Sequence, residues 1–387
     1  MDRRYSLKTM LSLILLAVSA TLLLTILVMR LILPGGDPAL RREVARFVEA
    51  REIISRYFIG EVDESALTDA ALSAVVAALD DSWSNFMTAE QYAAHLRAVG
   101  NRRQGIGLVF SRDEETNEIV VVETTPESPA EEAGLVTGDV LVAFITTERQ
   151  YTPALETEDI RDIIDAHFGG TLTLEVRDES GVTRTVLVEV REFFVNPVSF
   201  EMLERAVGYI RIANFDSASG AETIAAIETL RKEGAVGLLF DVRSNPGGRV
   251  GELLQILDYL LPEGEIFVFE DYAGNESIRY AGPDYLDMPM VVLVNENSFS
   301  GAEFFAAILQ EEERATVVGM PTTGKGRSQL IIPLEGGGAI RLSTSRYLTP
   351  GRVDLYEAGG IRPDVQVENV DETDRQLERA RQILLGS

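Results

Sequence analysis

At 387 residues with 45% apolar content, the chain is long enough for two or three domains with substantial cores. Acidic residues outnumber basic ones 62 to 35, and the resulting net charge of −27 excludes nucleic acid as a natural partner. Cysteine is absent, which removes disulfides, thiolate metal sites and a cysteine nucleophile, and the only histidines are His95 and His167.

Residues 10–29, MLSLILLAVSATLLLTILVM, carry no charge, and at about 1.5 Å per residue a helix of this length spans the ~30 Å hydrocarbon core. The run exceeds the apolar region of a cleaved signal peptide and is followed by RLILPGG, which favours a retained single-pass anchor. Arg3, Arg4 and Lys8 on one side face Arg30, Arg41, Arg42 and Arg46 on the other, so charge alone leaves the orientation open. Residues 37–100 then place Val44, Phe47, Val48, Ile53, Ile54 and Tyr57 at helical spacing, and a helical region is predicted.

From residue 103 to 192 the period changes. EIVVVETT, DVLVAFI, TLTLEVRD and TRTVLVEVRE read as short strands, and ETEDIRDIIDAHF as a helix. From Ala206 onward strands and helices alternate: VGYIRI, a helix over 221–233, VGLLFDV, a helix over 251–261, MVVLVN and a helix over 300–312. That alternation predicts an α/β core over 193–371, followed by a C-terminal helix within 372–387.

In the β-rich module, QGIGLVF, SPAEEAGL, GDVL and the helix near Ile160 to Phe168 occur in the order that resembles a PDZ domain. The resemblance implies that the amides of Gly105, Ile106, Gly107 and Leu108 receive a chain-terminal carboxylate while the peptide adds a strand to the sheet edge. AFITTERQYTPA stands where a short turn is usual, so a longer or irregular hairpin is expected there.

Three stretches of the core carry chemistry. In NENSFSGAEFF, Ser300 and Glu303 have capping-box spacing, and by itself that spacing predicts only a helix cap. FDVRSNPGGRVGE is by itself a strand and a turn. GMPTTGKGRSQ imitates a phosphate-binding loop, but Gly326 replaces the hydroxyl residue after the lysine and Pro321 interrupts the loop, so nucleotide binding is rejected. A serine nucleophile without a nearby histidine needs another base. Lys325 qualifies if burial brings its amine from about 10.4 to about 7.5, on the order of 4 kcal/mol. Gln329, four residues on, is placed to orient that amine, and the Gly301 amide with one from the Gly247-Gly248 turn could form an oxyanion hole.

The segments LDDSWSNFMTAEQY, VGYIRIANF, LLFDVRSNPGG, VLVNENSFSGAEFFAAILQEEERATVVGMPTTGKGRSQ and RYLTPGRVDLYEAGGIRPDV together resemble the C-terminal processing peptidases, the Ser/Lys proteases of family S41. The resemblance implies a crotonase- or Clp-like α/β protease core with flanking helices and an inserted PDZ domain. It also implies Ser300 as nucleophile, Lys325 as general base, Gln329 as its support and Gly247 as an oxyanion donor beside Gly301. It further implies protein tails as substrate, no cofactor or metal, and an extracytoplasmic position. Residues 1–8 are then cytoplasmic and 9–33 the anchor, while self-association into a homo-oligomer stays open. Phe299 before the serine, Glu311, and LDDSWSNF in place of LDPHSSY depart from the usual pattern and bear on specificity. Two rival readings remain: a non-catalytic PDZ scaffold, and a Ser/Lys hydrolase of small amides or esters.

Overall fold

The computed structural model describes residue 16 and residues 18–24, 38–145, 150–151, 157–370 and 373–386. They divide into two compact units, Met1–Leu72 and Ser73–Ser387. Most of the expected anchor lies outside the described residues. Among the described residues no helix is long and apolar enough to cross a membrane.

In the first unit, helix α1 (Pro38–Tyr57) begins with proline at its first position, where the missing amide costs no hydrogen bond. Its Leu40, Val44, Phe47, Val48, Ile53 and Ile54 are exposed. Arg51 and Ser55 both bond Glu64, which opens α2 (Glu64–Ala77). The Asp63 carboxylate caps α2 by accepting from the amides of Ser65 and Ala66.

The second unit takes the last residues of α2 and continues with β1 (Asn85–Met87) and α3 (Ala89–Val99), the latter capped by a reciprocal Thr88 and Gln91 box. The module follows as β2 (Arg102–Gly105), β3 (Leu108–Arg112), β4 (Ile119–Thr124), α4 (Pro129–Glu132), β5 (Val140–Ile145), β6 (Gln150–Tyr151), α5 (Thr157–Ala166), β7 (Thr171–Arg177), β8 (Thr183–Glu189) and β9 (Arg191–Phe194). Its sheet runs β3-β4-β5-β7-β8, with β6 on β5, while β2 pairs with β9. Alternation in β7 buries Leu172, Leu174 and Val176 against Ile119, Val121 and Ile160. The predicted irregular hairpin has β6 pairing with the end of β5, and residues 146–149 lie outside the described residues.

The core adds β10 (Val198–Leu203), β11 (Val207–Ile212), α6 (Ser219–Lys232), β12 (Gly237–Asp241), α7 (Val250–Leu260), β13 (Gly264–Asp271), β14 (Glu276–Ala281), β15 (Met290–Val294), α8 (Gly301–Glu311), β16 (Ala315–Gly319), β17 (Arg327–Pro333), β18 (Ala339–Leu348), α9 (Leu355–Ala358), β19 (Val365–Gln366) and α10 (Arg375–Leu384). One sheet runs β10-β11-β12-β15-β16-β19 and is parallel from β11 onward. Strands β12 and β15 are buried at every position, as a parallel sheet covered on both faces requires. The second sheet runs β1-β18-β13-β14, with β17 also on β18.

Helix α8 lies between the two sheets, and Gly301 through Leu309 are all buried. Phe305 stacks edge-on against Phe240 of β12, while Phe304 meets Phe267 of β13 and Tyr347 of β18. The start of α8 is therefore fixed from both sides. On the opposite face of the parallel sheet, α10 packs Leu377, Ala380, Ile383 and Leu384 over Leu239, Val291 and Leu293.

At the end of β12 the fully buried Asp241 pairs with Arg243, whose other nitrogen reaches Asp374 at the start of α10. Replacing Arg243 by alanine leaves the buried Asp241 carboxylate with the residue-243 amide, the Tyr209 hydroxyl and, as its nearest cation, the more distant Arg211. A loss of about 3 to 5 kcal/mol is expected in chemical denaturation.

Candidate active site

Strand β15 ends at Val294 and the chain turns through residues 295–299 into α8. The turn is built by its own polar side chains. Asn295 Oδ1 accepts from the amides of Ser244 and Asn297, and the buried Ser298 hydroxyl donates to the Val242 carbonyl. Ser300 then stands at φ 50°, ψ −115°, a conformation that a residue with a side chain adopts only under strain. A strained strand-to-helix turn that presents a serine is the arrangement of a nucleophile elbow.

The NPGG turn packs directly against this elbow. Phe299 donates its amide to the Asn245 carbonyl, and the Asn245 carboxamide donates to Ile212 O. Gly247 and Gly248 have φ of 89° and 153°, within the region that favours glycine. A Cβ on Gly247 would lie 2.9 Å from Ser300 Cβ and 2.8 Å from the Gly301 nitrogen. Gly247→Ala is thus expected to lower kcat by at least about 10²-fold, because the methyl occupies the space beside Ser300 and the Gly301 amide. Steady-state rates with a melting curve for the variant check this.

The resemblance implies Gly247 as an oxyanion donor, but in this structure its amide is already engaged. The Gly247 amide donates to Asn245 Oδ1 at 2.8 Å, because an asparagine side chain readily closes a turn on the amide two residues later. Among the described residues neither the Gly248 nor the Gly301 amide has an acceptor. The two free donors at this junction are therefore those of Gly248 and Gly301.

Glu303 is fully buried, and it binds both halves of the site. Its Oε2 accepts from the Ser300 amide and the Lys325 amide, each at 2.8 Å, and its Oε1 accepts from the Gly324 amide at 2.6 Å and the Thr322 hydroxyl at 2.5 Å. The cap predicted from spacing is present in the Ser300 bond. The other three donors come from the loop after β16, so a single carboxylate holds the serine and the lysine backbones within two hydrogen-bond lengths of each other.

Lys325 lies in that loop, ahead of β17, and is half-buried. Burial lowers its pKa, the Arg341 guanidinium lowers it further, and Glu303 opposes them. Its amine sits 4.3 Å from the centre of the Trp83 ring and makes no hydrogen bond to Ser300. Gln329 does not reach the lysine: its carboxamide donates to Arg327 O at 2.8 Å. Lys325 precedes β17 and a bulge falls between Ser328 and Gln329, so the four-residue spacing does not bring the two side chains together.

Neither histidine touches Ser300 or Lys325; His95 is 3.3 Å from Arg341, and His167 bonds Ile163 O. Asp216 packs beside Gly248, where burial pushes its carboxyl up to about 6, against Arg249 and with help from Glu252. A carboxyl raised in this way favours folding below about pH 4 and loses that contribution as pH rises through about 6. The melting-temperature gain from Asp216→Asn should accordingly grow between pH 4 and 7.

In the module, Gly105 through Leu108 line a groove together with Arg161 and Ile164 of α5. Gly107 has φ 80°, and a Cβ there would lie 2.2 Å from Ser128 Cβ, so the glycine lets the loop sit on the start of α4. The Ile106 and Gly107 carbonyls accept from Ala130 and Thr125, and their amides have no acceptor among the described residues. The neighbouring β3 is an edge of its sheet.

Residues 206–367 match peptidase family S41. A chloroplastic C-terminal processing peptidase of Tetradesmus obliquus is 30% identical over 325 residues, covering 79% of this chain and 69% of its own. A carboxyl-terminal-processing protease of Synechocystis sp. is 31% identical over 313 residues, covering 78% and 71%. The solved structure of a photosystem II D1 C-terminal processing protease superposes with a TM-score of 0.51 at 28% identity, covering 88% of this chain and 91% of that one. With that identity over most of both chains, and a serine at a strained turn, a half-buried lysine and a glycine turn brought together, the chain belongs to peptidase family S41, the carboxyl-terminal processing serine peptidases.

Proposed function

We propose that this peptidase cleaves proteins near their C-termini with a Ser300 and Lys325 dyad, and that its β-rich module is a PDZ domain that captures the substrate's tail. The observation that carries the dyad is Glu303 Oε2, which accepts from the Ser300 and Lys325 amides together. In the reaction, neutral Lys325 takes the proton of the Ser300 hydroxyl while Oγ attacks the scissile carbonyl. The Gly248 and Gly301 amides hold the oxyanion, the lysine returns the proton to the leaving amine, and water releases the acyl-enzyme. The supporting role expected of Gln329 requires its carboxamide to leave the Arg327 carbonyl.

For the module, support comes from the free Ile106 and Gly107 amides beside an edge strand, a setting in which a carboxylate is held while the peptide adds to the sheet. A protein substrate with an amidated C-terminus should show kcat/KM at least about tenfold below that of the free acid, since charge-assisted bonds to the carboxylate are lost. Equal rates would overturn tail capture. An anchor over residues 9–33 would tether the catalytic unit to the membrane, with the extracytoplasmic side being what the resemblance implies. Membrane-pellet fractionation of the full chain against one starting at Asp37 tests this, and equal partition would reject it.

A further inference from the structure

Trp83 is the only tryptophan in the chain. Its loop is fastened from two directions: Asp81 accepts from the Trp83 amide and the Ser84 hydroxyl, and Ser84 Oγ accepts from the Ser343 amide of β18. Strand β1, immediately after, pairs Asn85 with Arg341. The indole is thereby held where the Lys325 amine lies over its face, at 4.3 Å from the ring centre.

The charged groups facing that amine are Arg341 from β18, itself against His95 of α3, and Glu303 from α8. Arg341 repels an ammonium. Both Glu303 oxygens already accept two donors each, and no carboxylate lies within ion-pair distance of Lys325 Nζ among the described residues. The aromatic face is the remaining partner for a cation, and such a face attracts the ammonium but not the neutral amine.

We infer that Trp83 is the resting seat of the Lys325 ammonium and gates the general base: release of the proton to solvent both creates the base and removes what holds it on the ring. The neutral amine is then free to turn to Ser300. Trp83 is a positioning residue in this scheme, which rests on the Ser/Lys reading above.

Fluorescence of the single tryptophan, excited where tyrosines stay dark, reports the seat directly in the intact enzyme. Emission should step with pH at the same midpoint as the acid limb of kcat/KM, and the step should be missing in Lys325→Met. Removing the ring in Trp83→Leu withdraws a stabiliser of the protonated form, so the acid limb should move to lower pH by about half a unit to one unit. Trp83→Phe should move it less. A flat emission through the limb, a step that survives in Lys325→Met, or an unmoved limb in both Trp83 variants overturns the gate. Undiminished turnover in Ser300→Ala would instead overturn the dyad, whatever the emission does, so the two failures are distinguishable.

Discussion

Lys325→Ala should lower kcat by at least about 10³-fold, and Ser300→Ala by as much, with both variants folded. Neither histidine can substitute as the base, because His95 lies against Arg341 and His167 bonds Ile163 O. A nucleophile and base that act as a unit are not additive, so the double variant should be no slower than either single one. Single-turnover rates and the mass of the trapped acyl-enzyme measure this. Loss of rate with an acyl-enzyme still forming in Lys325→Ala would assign the lysine to deacylation alone.

Glu303→Ala should damage both stability and rate. An ordinary helix cap is worth about 1 kcal/mol and would leave kcat nearly unchanged. Here the truncation strands three amides and a hydroxyl around a buried cavity, so a loss of about 3 to 5 kcal/mol and at least about 10²-fold in kcat is expected. Glu303→Gln fills the space but turns a donor toward donors, and should hold the fold better than alanine while failing to restore the rate. Urea titration and steady-state kinetics on the two variants separate a cap from a brace between the serine and the lysine.

The alternation of strands and helices in the core was legible because each element carries its own burial pattern. VGLLFDV and MVVLV are continuous apolar runs, and these became the fully buried β12 and β15. Ser300 alone read only as a helix cap and became a candidate nucleophile through the resemblance, whereas Lys325 was the base left once cysteine was absent and neither histidine lay near the serine in the chain. What sequence spacing missed were choices made by side chains in three dimensions. Asn245 takes the Gly247 amide and leaves Gly248 free, and nothing in NPGG states which amide the asparagine selects. A one-residue bulge turned Gln329 toward Arg327. Trp83 reaches Lys325 only because β1 is stitched to β18, a pairing between segments far apart in the chain. The capping spacing of Glu303 was visible, but the three donors from the loop after β16 were not.

Ser300 holds φ 50° in the turn before α8, where glycine alone would be at ease. Backbone strain of this kind costs on the order of 1 to 3 kcal/mol. The most comfortable residue at that position is glycine, which carries no hydroxyl for the proposed attack. On the proposed assignment of Ser300 as the nucleophile, its backbone strain is a stability cost that the activity requires.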